Sequence, residues 1–161
     1  MHSIPRYFQN HIFLKNQQGN FLTEILFYSP ALLTPQRIDR TCSQIDLLPS
    51  VSSLAKVSFT NTTLGRNLFD TIQNNVRFKN LAFLFNPDLK QIGIITDDYV
   101  YVHNLLSGQE DFRSSKNNLP LPQTEETISD KKALQTLSEA YYQTAKYMLL
   151  NNKKIKEAVS K

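Results

Sequence analysis

One cysteine, Cys42, stands alone among 161 residues, so no disulfide can close within the chain and no thiolate cluster can hold a metal. Glycine is scarce, at 4 residues, which argues against a glycine-rich loop cradling a nucleotide phosphate. Tryptophan is absent. No run approaches the roughly 18 apolar residues that span a bilayer, and the opening Met-His-Ser-Ile-Pro-Arg lacks the apolar centre of a signal peptide. The expectation is a soluble chain as written, with no membrane segment and no export address. Excess charge is also small, at +4, and part of it sits in the tail residues Lys153, Lys154, Lys156 and Lys161. A single-strand nucleic-acid surface interleaves cations with stacking aromatics. None follows Tyr147, so no nucleic-acid partner is expected, and lysines at a helix C-terminus suit its dipole.

What is present suits one domain with a core: 40% hydrophobic and 20% charged residues, with ten Phe and seven Tyr to pack on sheets. The apolar run Ile25-Leu26-Phe27-Tyr28, stopped by Ser29-Pro30, reads as a strand buried on both faces. Leu47, Leu48, Val51, Leu54 and Ala55 recur at helical spacing, predicting a buried helix over 46–56 capped by Asp46, with Pro49 tolerated in its first turn. A polar connector over 58–70 follows. Residues 81–85, 91–95 and 99–103 read as three strands of an antiparallel meander, with Asp97-Asp98 as a tight turn. The stretch 107–127 reads as a loop. Thr127 and Ser129 are candidate caps for a last helix whose stripe is Leu134, Leu137, Tyr141, Ala145 and Met148.

Three stretches in order resemble the late part of sulfatase-like proteins of the alkaline phosphatase superfamily. They are Glu24-Ile-Leu-Phe-Tyr-Ser-Pro30, Ser43-Gln-Ile-Asp-Leu-Leu-Pro-Ser50 and Asn61-Thr-Thr-Leu-Gly-Arg-Asn-Leu-Phe-Asp70. Asp98-Tyr-Val-Tyr101 and Tyr141-Tyr-Gln-Thr-Ala-Lys-Tyr147 are similar to the lipoteichoic acid synthase-like branch. The likeness runs over residues 23–152; each motif alone is weak, and their order and spacing carry it. It implies an α/β chain forming the C-terminal portion of the sulfatase-like fold. One main-sheet strand and a helix (residues 1–60) would be followed by a small antiparallel sheet packed by a C-terminal helix (61–161).

The family is metal-dependent and transfers or hydrolyses phosphate or sulfate esters, as phosphoglycerol and phosphoethanolamine transferases do. A Thr, Ser or modified Cys attacks, activated by a divalent cation (manganese, magnesium, calcium or zinc). The resemblance therefore implies a C-terminal fragment lacking the nucleophile and binding no cation alone, with no catalytic residue of its own. Cys42, in Thr-Cys-Ser-Gln-Ile, falls where the family has core. His2 is the one candidate metal ligand, near the expected Asp-His motif, yet no Asp precedes it and a lone His holds no catalytic cation. Arg66, after Gly65 in a loop, is the candidate substrate-binding residue because a guanidinium grips phosphate bidentately, although the same loop position serves structure. The implied partner is the rest of the sulfatase-like domain, with self-association open, and the implied location is the periplasmic or extracellular side of a membrane. A stand-alone, non-catalytic interaction module on the same scaffold is the alternative. His103 reads as a packed or edge histidine, and the adjacent pairs Asp97-Asp98, Glu110-Asp111 and Glu125-Glu126 do not make acid–base couples.

Overall fold

The computed structural model describes residues 26–37, 40–70 and 77–159, with side chains to residue 151. A 3-10 turn, Gln44–Asp46, leads into helix α1, Leu47–Leu54. Strands β1 (Leu81–Asn86), β2 (Gln91–Thr96), β3 (Tyr99–Asn104) and β4 (Glu110–Ser114) follow, and helix α2 runs from Glu125 to Val159. The four strands form one antiparallel sheet in the order β1-β2-β3-β4. The protein is thus mixed α/β, with a small antiparallel sheet and a C-terminal helix.

Side-chain chemistry in the turns sets this register. Asn86 Oδ1 accepts from the N–H groups of Asp88 and Leu89, each at 3.1 Å, closing the β1–β2 loop. Thr96 Oγ1 accepts from Tyr99 N–H at 2.9 Å and Asp98 N–H at 3.3 Å, folding the Asp97-Asp98 turn. Asn104 Oδ1 does the same for Leu106 and Ser107 at 2.9 Å. Short polar side chains that satisfy local N–H groups are what make these residues turn formers.

Alternation then assigns the faces. Ile94 and Tyr101 look toward α2 and meet Leu134 in a fully buried core, with Phe83, Tyr99, Phe112, Leu137 and Tyr141 around it. Phe83 stacks on Tyr141 with ring centroids 5.7 Å apart. Ser138, also fully buried, is a small residue between Leu134 and Tyr141 that keeps helix and sheet close. On the opposite face Ile95, Val100 and Val102 are buried, with Leu84 against them.

Four expectations change. Residues 26–29 form no strand: Phe27 packs edge-on against Phe69 at 5.2 Å, while Leu26 and Tyr28 stand exposed. A ladder needs a partner strand, and none of the described residues supplies one. The helix at 47–54 buries Pro49, Ser50 and Ser52 and turns Leu48 and Val51 outward, so its apolar stripe is not the buried one. The stretch 107–127 holds a fourth strand, β4, because Glu110 and Phe112 find partners on β3 and α2 that local pattern does not reveal. Helix α2 starts after Thr124, not at Thr127 or Ser129: Thr124 and Thr127 cap each other reciprocally, with N–H to Oγ1 distances of 2.9 and 3.2 Å.

Candidate functional site: the Asp46–Arg66 junction

Asp46 is 3% exposed. Its Oδ2 accepts from Ser43 N–H at 2.8 Å, completing a capping box over the 3-10 turn, and its Oδ1 accepts from Arg66 N–H at 2.8 Å. The expectation that Asp46 caps the helix is not met: it stands at the N-cap of α1 without a side-chain capping bond, and serves instead as the third residue of the turn capped by Ser43. Its second oxygen reaches across to the 61–70 loop, which local sequence could not reveal. Ser50 Oγ repeats the bridge one turn on, donating to Asp46 O at 2.6 Å and accepting from Leu68 N–H at 2.9 Å.

The loop itself is caged. Asn61 Nδ2 donates to Gly65 O at 2.8 Å, and Asn61 Oδ1 accepts from Thr63 N–H and Oγ1 at 3.0 and 2.8 Å. A Cβ on Gly65 would lie 2.0 Å from Ile45 O, so only glycine lets the loop lie against the start of α1. That close approach aims Arg66. Its Nη2 donates to Thr41 O at 2.7 Å, its Nη1 donates to Lys79 O, and its Nε lies 3.9 Å from Asp46 Oδ2. The guanidinium therefore ties three backbone segments together through main-chain carbonyls.

A second carboxylate continues the junction into the sheet. Asp97 Oδ1 accepts from Thr41 N–H and Oδ2 from Asn80 Nδ2, both at 2.6 Å, while Asp97 O accepts from Ser115 Oγ at 2.5 Å. Arg40 sits close by. Burial, then the neighbouring Arg66 cation, holds the Arg40 guanidinium below its ordinary range, against the opposing pull of Cys42, Asp97 and Asp46. Its Nε is buried without a hydrogen-bond partner. Two cations and two carboxylates thus share the junction, and their charges balance.

Cys42 is 2% exposed and packs with Leu68, Phe27, Leu47 and Phe69, a core position. His103, next to last in β3, lies opposite Glu110, with its Nδ1 buried and unbonded. His2 lies outside the described residues. Among those described, no three His, Cys, Asp or Glu side chains converge in a way that could hold a metal ion. Asp46 and Asp97 already accept N–H donors, so these two carboxylates do not fit a divalent-cation site.

A second polar cluster fastens α2 to the sheet. Tyr101, fully buried, donates to Glu110 Oε1 at 2.6 Å, and Lys131 Nζ lies 2.7 Å from Glu110 Oε2. Burial, then the bond to Glu110, raises the Tyr101 phenol; the bond from Lys131, then that from Tyr101, outweighs burial and lowers the Glu110 carboxyl. A third fastening joins Arg77 Nε to Asp130 Oδ1 at 2.8 Å, and burial followed by the same Asp130 pushes the Tyr99 phenol up to about 12. Raised phenols at Tyr99 and Tyr101 and a lowered Glu110 carboxyl suit contacts that stabilise a scaffold. No helix among the described residues is long and apolar enough to cross a membrane. No family model, curated protein or solved structure matches the chain.

Proposed function

We propose that this chain is the C-terminal part of a sulfatase-like, metal-dependent phosphotransferase or ester hydrolase of the lipoteichoic acid synthase-like branch, without the nucleophile. One observation carries the reading: α1 shows its apolar stripe to the outside. Ile45 of the preceding turn and Leu48 and Val51 of α1 are 40%, 56% and 48% exposed, while the polar Asp46, Ser50 and Ser52 are turned inward. Leu26 and Tyr28 add further exposed apolar surface in a segment with no ladder. Between Ser43 and Ala55 the only charged residue is the buried Asp46. Charge-depleted apolar surface is what the core of a permanent interface looks like, and the ordered motifs name the main sulfatase-like sheet as what covers it. Divalent cation, nucleophile and substrate belong to that upstream part, at the outer face of a membrane, and Arg66 acts here by holding the 61–70 loop in shape.

The test is ester hydrolysis by the purified chain with manganese or magnesium, beside the DNA upstream of Met1. No turnover, with an in-frame Asp-His motif and an earlier Thr nucleophile upstream, is the expected result. Turnover abolished by a chelator would overturn the fragment reading. A second reading, a stand-alone interaction module, is favoured by the closed core of Ile94, Tyr101 and Leu134, each 0% exposed. Cooperative unfolding of the whole isolated chain would support that module, and a sheet that melts apart from α1 would exclude it.

A further inference from the structure

The net charge of +4 is not spread over the chain. Residues 140–161 hold five lysines (Lys146, Lys153, Lys154, Lys156 and Lys161) against one acid, Glu157, and the rest of the sequence has as many acids as bases. A helix C-terminus favours cations only within its last turn, so the end of α2 at Val159 does not account for Lys146, Lys153 or Lys154. These three share a register instead. Lys146, Leu149, Leu150, Lys153 and Lys154 fall at i, i+3, i+4, i+7 and i+8, one face of α2. Leu149 and Leu150 on that face are 75% and 68% exposed, and Tyr147 beside them is 68% exposed. Ala145 and Met148, which look into the groove toward the 60–64 loop, are half-buried, with Leu149 at its rim.

From this we infer that the Lys146–Lys154 face of α2 lies on an anionic phospholipid surface, its leucines in the interface and its lysines among the headgroups. Two features select that occupant. A block of uncompensated positive charge calls for an anionic partner, and the exposed leucine pair set between the cations calls for an apolar layer beneath that charge. Lysine suits such a boundary, because its long stem covers apolar surface while the ammonium stays in water. A nucleic-acid strand offers the charge but is held by stacking aromatics, and leucine does not stack. Cations at both ends of the leucine pair keep the helix along the surface rather than through it.

The experiment is co-sedimentation of the full chain with vesicles of phosphatidylserine and phosphatidylcholine, beside vesicles of phosphatidylcholine alone and a single-stranded oligonucleotide. The expected result is binding to the anionic vesicles only, released by salt, with hydrogen exchange slowed over residues 146–154. Lys146→Gln, Lys153→Gln and Lys154→Gln combined should weaken binding about a hundredfold, at roughly fivefold per cation near an anionic surface. Leu149→Ser with Leu150→Ser should weaken it with every charge in place. Far-UV circular dichroism checks both variants, and where one fails to fold the wild-type salt series and exchange pattern decide. No binding to the anionic vesicles, equal binding to the neutral vesicles or the oligonucleotide, persistence in high salt, undiminished binding by either folded variant, or protection gained elsewhere overturns the inference. None of these outcomes depends on the proposed parent enzyme.

Discussion

Arg66 and Asp46 show how one charged pair can organise a loop. The carboxylate takes two main-chain N–H groups and the guanidinium two main-chain carbonyls, so each satisfies backbone that no regular element would. Arg66→Ala removes both carbonyl bonds and leaves a buried carboxylate without its cation, which should lower stability by about 2 kcal/mol in urea unfolding. Arg66→Lys should recover only part of this, because a single ammonium cannot fork to two carbonyls. Glu110 gives the pH signature. Its folded pKa is depressed by Lys131 and Tyr101, so its contribution is complete above the unfolded value of about 4.3 and disappears as pH falls through the lower, folded value. Thermal melts of Glu110→Gln between neutral and acid pH should therefore show a flatter acid limb than wild type; equal slopes would mean that this carboxylate is not held as described.

Among the elements, α2 is two helices in function. Its first half seats Leu134 and Ser138 on the sheet at 0% exposure, while Tyr147, Leu149 and Leu150 stand outside at 68%, 75% and 68%. At 1.5 Å per residue its 35 residues reach about 52 Å, far longer than a six-residue strand, and Ala145, Met148 and Leu149 of the second half face Ile45 and the 60–64 loop across a groove. Leu134→Ala should cost about 2–4 kcal/mol through the cavity it leaves, whereas Leu150→Ala should stay within about 0.5 kcal/mol. Paired denaturation midpoints check both. The helical spacing of Leu134, Leu137 and Tyr141 was legible in the sequence because the sheet imposes the same period on the helix face. Strand β4 was not: Glu110-Asp111-Phe112-Arg113 alternates acid, acid, aromatic, base, and its value as a strand rests on Tyr101, Lys131 and Phe112 meeting from three elements.

Across the whole molecule there are separate cores of unequal size. Cys42 and Leu68, with Phe27, Leu47 and Phe69, form a small one beside α1, and Ile94, Tyr101 and Leu134 anchor a larger one between sheet and α2. The Arg66–Lys79 and Thr41–Asp97 bonds are described polar links between the two regions. Regions with few buried apolar contacts open first. Amides of residues 41–70 should therefore exchange faster than those of β2 and β3 in the isolated chain; equal protection throughout would show one cooperative unit and would favour the module over the fragment.

The sequence by itself determined strands β1, β2 and β3, the body of the last helix and the Asp97-Asp98 turn, because each follows from local periodicity or a side chain bonding its own backbone. Tertiary structure alone decided that residues 26–29 are no strand, that Leu48 and Val51 of α1 face outward, and that Arg66 bonds backbone carbonyls. Each of those outcomes depends on what lies across from a residue rather than beside it in the chain.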